Sequence, residues 1–377
     1  MLYWLLYQKL GSSVGPFRVF RYVTSRAMFA SLTSLFLCIW LGPWLIRKLR
    51  EFQIGQHIRE DGPQSHMKKA GTPTMGGLLI IISIVGPVLL WADLTSAYVW
   101  LALFALVMFG IIGFIDDYSK VMHKRNLGLT SWQKFGLQMA VAAAITGVLA
   151  VMQYFGSYTT TLNVPFVKQF QPDLLIHAAM GNPYTYVLGF VPFYLFFVLV
   201  VVGASNAVNV TDGLDGLAIG LMVISAGALT LLAYTSGNRE FSAYLQLARN
   251  PRTAELTIFC ASMTGASLGF LWWNSHPADI FMGDVGSLSL GGAMGVVAVL
   301  IKQELLLIFI AGMFVVELMS VILQVGSFKL RGKRIFKMAP IHHHFEALGW
   351  QESKIIARFW IAGLVLALFA LTTLKLR

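Results

Sequence analysis

Charge is what this sequence has least of. Only 12% of its 377 residues are Asp, Glu, Lys or Arg, while 57% are hydrophobic. Soluble chains carry roughly 25% charged residues, so the surface of a soluble protein could not be built from this supply. The length would otherwise suffice for about two or three such domains. Cysteine is nearly absent: Cys38 and Cys260 both sit in apolar runs, with no spacing that suits a disulfide framework or a zinc site. No G-x-x-x-x-G-K-[ST] or G-x-G-x-x-G run occurs, which excludes chemistry driven by a nucleotide held in such a loop. Acidic residues are the scarcer sign, 17 against 28 basic, for a net charge of +11. At this hydropathy the basic excess fits inside loops beside anionic lipid and not a nucleic-acid groove. The chain reads as an integral membrane protein.

Crossing a bilayer as a helix takes about 20 mainly apolar residues. Ten stretches meet that need: 24–46, 74–92, 97–115, 132–153, 186–207, 213–234, 254–273, 285–301, 304–327 and 354–375. Residues 1–7 are apolar but too short to span. Without a basic run before them or a small-residue cleavage site after, they are expected to form a short interfacial helix and not a cleaved signal. No internal repeat appears, so one polytopic domain, 1–377, is expected, with longer outside segments at 154–185 and 235–253. With the amino terminus outside, seventeen basic residues fall inside, within 47–73, 116–135 and 328–358. Lys9, Arg18, Arg21 and Arg26 run against that bias. The expectation is an all-α membrane protein of about ten transmembrane helices, both termini periplasmic and the functional face cytoplasmic.

Seventeen carboxylates are few enough to sort one by one. Glu51, Glu60, Asp61, Asp93, Asp173, Glu240, Glu255, Glu304 and Glu352 lie in loops or at helix ends, where solvation is the default expectation. Asp116 and Asp117 follow the third span, Asp212 and Asp215 lie between the fifth and sixth, and Asp279 and Asp284 between the seventh and eighth. Spans alternate in direction, so these junctions share one face. Ionisable groups at membrane depth are costly and usually functional. Several carboxylates converging there suit Mg²⁺, which takes oxygen ligands and keeps waters that substrate phosphates can replace. The plainer alternatives are helix ends: Asp116–Asp117 closing the third span, Asp212 and Asp215 capping the sixth, Asp284 capping the eighth. Three such coincidences on one face are less expected than any one. Glu317, mid-way along the ninth span, reads as a structural polar contact, with Gln324 or a hydroxyl as partner.

Two inside loops carry the cations. The first ends in Lys68-Lys69-Ala70-Gly71-Thr72-Pro73-Thr74-Met75-Gly76-Gly77, where charge, hydroxyls and close backbone approach suit a phosphate as well as they suit plain membrane anchoring. The last holds Lys329, Arg331, Lys333, Arg334 and Lys337 ahead of Pro340-Ile341-His342-His343-His344-Phe345-Glu346. Neighbours on a helix point about 100° apart, so three adjacent histidines cannot readily converge on one ion. Donation to phosphate or substrate oxygens fits them better. Carboxylates with a metal and cations on one membrane face suit phosphoryl transfer involving a lipid.

The runs GTPTMGG (71–77), FIDDYSK (114–120), NAVNVTDGLDGLA (206–218), FMGDVGS (281–287) and APIHHHFE (339–346) resemble, in order, those of the phospho-N-acetylmuramoyl-pentapeptide transferases. This is the MraY family, within the polyprenyl-phosphate N-acetylhexosamine-1-phosphate transferases. The resemblance implies a bacterial inner-membrane enzyme of peptidoglycan synthesis. Undecaprenyl phosphate and UDP-N-acetylmuramoyl-pentapeptide would be converted to lipid I and UMP, one phosphoanhydride being exchanged for another. Carried over by motif, Asp284 and Asp117 would hold Mg²⁺, and Asp116 or Asp117 would deprotonate or position the lipid phosphate. Asp212 and Asp215, with Asn206 and Asn209, would hold the uridine diphosphate. Lys69, Thr74, Lys120 and Lys134 would steady phosphates, with Asn274 and Phe281 bordering the nucleotide pocket. His343 and His344, with His342 beside them, would meet the sugar phosphate or leaving group. A homodimer is implied by the resemblance alone. The rival readings are a sister enzyme moving N-acetylglucosamine-1-phosphate and a ten-span transporter, whose site would lie near the midplane beside Glu317.

Overall fold

In hydrocarbon a backbone must satisfy its own hydrogen bonds, so the apolar runs form helices. The computed structural model describes residues 1–11, 13–52, 71–122, 128–167, 170–176, 183–245, 247 and 249–374. Among them lie α1 (Val23–Glu51), α2 (Gly77–Trp91), α3 (Ala97–Met122), α4 (Ser131–Tyr154), α5 (Pro183–Gly189), α6 (Val191–Thr211) and α7 (Leu217–Gly237). They continue with α8 (Arg239–Leu245), α9 (Leu256–Asn274), α10 (Gly283–Leu300), α11 (Leu307–Ile310), α12 (Gly312–Arg331), α13 (Ile341–Ala347) and α14 (Glu352–Thr372). Nine are long and apolar enough to cross a membrane, and α2, at 15 residues, is a shorter tenth candidate. Residues 1–7 contribute to a helical turn at Trp4–Lys9, as expected of a segment too short to span. The expected single span 304–327 is broken at Ala311 into α11 and α12.

The buried centre is α10, whose residues from Val285 to Leu300 are all covered. It packs between α3 and α6 and touches α2, while α9 packs on α1 and α7, and α14 on α7. Small residues let helices approach to backbone contact. A methyl group on Gly77 would collide with the Gly286 backbone, and one on Gly113 with the Asp284 carbonyl. The chain entering α2 is tied to the chain entering α10. Phe281 N–H donates to the Pro73 carbonyl (2.8 Å), Gly76 N–H to that of Phe281 (2.9 Å), and Gly77 N–H to that of Met282 (2.9 Å).

At the opposite end, several charges expected to be solvated are buried in pairs. Arg26 is 2% exposed and grips Glu255 with both terminal nitrogens, at 2.8 and 2.7 Å. Asp93 N–H adds a bond to the same carboxylate (2.8 Å), and Tyr3 lies under the guanidinium at 4.0 Å. Arg26 is therefore no free loop charge, which lessens its opposition to the positive-inside count. Glu304 is also buried, 3.6 Å from Lys302. Lys302 donates to the Tyr158 hydroxyl (2.7 Å), pinning the 154–185 segment, where Thr161 pairs with Asp173. Burial pushes Lys302 down, and burial pushes Glu304 up against the pull of Lys302.

Removing one partner of a buried ion pair leaves the other uncompensated, at about 3 kcal/mol. Arg26→Met is expected to lower the unfolding temperature of the detergent-purified protein. Adding Glu255→Leu should recover part of the loss. An unchanged melting curve in Arg26→Met would contradict this role.

Candidate active site

Asp116 and Asp117 do not follow their helix; α3 runs on to Met122. Backbone donors from other elements solvate both carboxylates, so the helix need not stop for them. Leu129 N–H donates to Asp116 Oδ1 (2.8 Å), and Val285 N–H to Asp117 Oδ2 (3.2 Å). Lys120, one turn further along, turns back to Asp116, to Asp117 Oδ1 (3.4 Å) and across to Asp284 Oδ2 (3.1 Å). Asp116 and Asp117 are 3% and 4% exposed.

Asp284 lies in the first turn of α10, where the helix dipole favours an anion. Its Oδ2 accepts from Lys134 of α4 (2.8 Å) as well as Lys120, and its Oδ1 from Asn209 of α6 (2.7 Å). Four helices thus meet on one carboxylate. Gly283 must be glycine: its φ is +71°, and a Cβ there would lie 2.5 Å from Asp117 Oδ2 and 3.0 Å from Thr74 Oγ1. Thr74 is thereby placed at the rim of the cluster.

Asp212 is not the cap of the next helix, which starts at Leu217 after Gly216; it closes α6. Burial, then the negative charges of Asp284, Asp117 and Asp215, push Asp212 up to about 8, against a hydrogen bond from Gly283 N–H. The site carries more negative charge than its lysines offset. Ligand atoms of Asp116, Asp117 and Asp284 lie within 4.8 Å of one another. An all-oxygen donor set with surplus negative charge, beside two lysines that phosphates can meet, fits Mg²⁺.

Other expected site residues stand outside this cluster. Asn206 is one turn from Asn209 but donates to Gln138 (2.9 Å) and the Val202 carbonyl (2.8 Å). Asn274 is a buried strut, accepting from Gly216 N–H (3.0 Å) and donating to the Ile280 carbonyl (2.9 Å). Phe281 serves the cluster through its backbone ties to Pro73 and Gly76. Asp215 forms a second group with His276 (3.2 Å) and Glu352, whose Oε1 accepts from Asp215 N–H (3.1 Å). Glu352, expected to be solvated, is drawn into this group, and His276 carries no sequence signal beyond lying two residues after Asn274. Lys69 lies outside the described residues.

The histidines diverge as helical geometry requires. His342 is fully buried with its Nδ1 3.1 Å from Glu317 Oε1, so Glu317 meets His342 and not Gln324. His343 Nδ1 lies 2.6 Å from Glu346, and His344 Nδ1 accepts from Lys337 N–H (3.1 Å). Gln324 instead bonds the backbone at Ile335 and Phe336.

Comparison with known proteins places relatives along the whole chain. The model of glycosyl transferase family 4 matches residues 99–302, and signature 1 of the phospho-N-acetylmuramoyl-pentapeptide-transferases matches residues 69–81. The chain is 71% identical to the phospho-N-acetylmuramoyl-pentapeptide-transferase of Solibacter usitatus (strain Ellin6076) and 62% to that of Koribacter versatilis (strain Ellin345). Both alignments cover the whole of each chain.

A methyl group on Gly113 has no room beside the Asp284 backbone. Shifting a reacting group by about 1 Å can cost roughly 100-fold in rate. Gly113→Ala is therefore expected to lose turnover on that scale while keeping its helical circular dichroism; full turnover would show that Asp284 tolerates displacement.

Proposed function

This chain belongs to the phospho-N-acetylmuramoyl-pentapeptide transferase family, and from that membership we propose how its side chains divide the reaction. It is a lipid I-forming transferase. The donor is UDP-N-acetylmuramoyl-pentapeptide and the acceptor undecaprenyl phosphate. A lipid phosphate oxygen attacks the sugar-bearing phosphorus of the donor, the bond to the UMP oxygen breaks, and one phosphoanhydride replaces another. We favour direct attack, because an adjacent acid pair serves base and positioning roles without a covalent intermediate.

Asp284 and Asp117 would hold Mg²⁺. The bound ion would supply charge neutralisation for the diphosphate, as in other phosphoryl transfers. Lys120 and Lys134 bind phosphate oxygens, trading their contacts to Asp284 for the substrate. Asp116 or Asp117 takes a proton from, or orients, the lipid phosphate. Asn209 fixes Asp284 from the α6 side. Asp212 and Asp215 hold the uridine diphosphate, with Asn206 and Asn274 behind them, and Thr74, Phe281 and Lys69 complete the phosphate and nucleotide walls. His343 and His344 meet the sugar phosphate. The observation that carries this reading is Asp284, fixed by Lys120, Lys134 and Asn209 within reach of Asp116 and Asp117. We place this face in the cytoplasm of a bacterial inner membrane, with both termini outside, from the distribution of basic residues. Glu317, sealed against His342, does not resemble a solvent-lined transport site.

Asp284→Asn and Asp117→Asn are each expected to lose most lipid I formation while eluting like the parent from a sizing column, and EDTA should abolish turnover reversibly. Wild-type rates in either variant would refute the roles; product only from UDP-N-acetylglucosamine would favour the sister enzyme. Both native cysteines are fully buried, so single exposed cysteines can report sidedness. Trp132→Cys should react with an impermeant maleimide only from inside, and Tyr244→Cys only from outside. The reverse pattern would invert the topology.

A further inference from the structure

The contact between α12 and α13 leads back into the site. Glu317 and His342 are both without exposed surface, and His342 Nδ1 stands 3.1 Å from Glu317 Oε1. Neither side chain has another polar partner among the described residues. On its far side the ring lies against Gly213, where a methyl group would collide with Nε2. Gly213 adjoins Asp212, whose N–H donates to the Asn209 carbonyl (3.3 Å), and the Asn209 side chain donates to Asp284 Oδ1 (2.7 Å). The same ring packs on His343 with centroids 4.2 Å apart. A pair of ionisable groups buried this deeply adds little to stability, since apolar replacements of similar volume often serve as well. Its geometry instead suits orientation: the Glu317 carboxylate, 3.1 Å from Nδ1, and Gly213, against Nε2, hold the ring between them.

We infer that Glu317 and His342 form a buried positioning pair that sets the Asp212 loop against Asp284 for the transfer reaction. His342 is then not a substrate ligand. The pair acts through Asp212 and Asp284, so it rests on the roles proposed for them above.

The test uses the full-length, detergent-purified protein with undecaprenyl phosphate and UDP-N-acetylmuramoyl-pentapeptide. Glu317→Gln keeps the shape and removes the charge. It is expected to lower kcat about tenfold, the scale on which outer partners of a site act, with KM for the UDP donor within about twofold. Glu317→Leu/His342→Leu should unfold at least as high as Glu317→Gln yet regain no kcat. A double variant restored to wild-type kcat would reduce the pair to packing and overturn the inference, as would wild-type kcat in Glu317→Gln. Should Glu317→Gln not purify as a single species, Gly213 decides. Gly213→Ala should lose about tenfold in kcat, whereas adding it to His342→Ala should cost nothing more, because the ring it strikes is gone. Losses that multiply would refute the contact. Asp284→Asn is run alongside: full turnover there sinks the site assignment itself, whereas an inactive Asp284→Asn beside a fully active Glu317→Gln sinks only this pair.

Discussion

The arrangement depends on backbone-to-backbone contact at the start of α10. Asp284 sits in the first turn of the most buried helix, where a carboxylate is costly unless its charge and lone pairs are met. They are met because α2 and α3 come close enough to meet that turn. Gly77, Gly113, Gly283 and Gly286 remove the side chains that would hold those helices apart. The hydrogen bonds from Phe281, Gly76 and Gly77 then fix the two entering strands of chain in register. Only with that register do Lys120 of α3, Lys134 of α4 and Asn209 of α6 converge on Asp284. Local packing by small residues and the placement of charge are therefore one problem with one solution.

Buried charge recurs elsewhere, each time joining segments far apart in the chain. Arg26 and Glu255 link the starts of α1 and α9, and Asp93 brings in the turn after α2. Lys302, Glu304 and Tyr158 link the end of α10 to the segment after α4. Glu317 and His342 link α12 to α13. Such groups cost desolvation that their attraction offsets only with good geometry. Arg26 meets most of that demand with a two-pronged grip and a stacked ring, Nε alone lacking a partner among the described residues. Glu304 and Glu317 do not: their carboxylate oxygens are buried with no hydrogen bond among the described residues. The first pair is explained by holding helices together; the others ask for a different account, and for Glu317 the neighbouring site provides one.

What could be read from the sequence follows the range of the interactions involved. Span positions were legible because hydrophobic length is a local property, and the helices begin and end within a few residues of the apolar runs. The α3 end was misplaced because hydropathy falls at Asp116, whereas the helix is carried on by Leu129 and Val285, donors that no window around residue 116 contains. The break at Ala311 lies inside an unbroken apolar run and left no compositional mark. Junction carboxylates were legible as a group, because alternation of spans fixes their common face. Their partners were not: Arg26 looked like a misplaced loop charge and Glu255 like a solvated one, since a pair separated by 229 residues has no sequence signature. Asp212 looked like a cap because its spacing to Asp215 matches one, but Gly216 at φ +79° is the residue before the next helix, and Asp212 closes α6 instead.

The three histidines show how one short run can serve three directions. A chelate would need them on one side, and adjacent helical positions forbid that. On α13 the first points into the bundle at Glu317, the second to Glu346 one turn on, and the third back to the Lys337 backbone. His344 also packs edge-on against Phe336, in the loop that Gln324 holds to α12. His342 and His344 therefore tie α13 to anchors outside it, while His343 binds within the helix, and rotation of the short helix would break both outside contacts at once. A seven-residue helix has little stability of its own. Its orientation has to come from such tertiary anchors, and an orientation fixed at two points is what the proposed placement of His343 beside a phosphate requires.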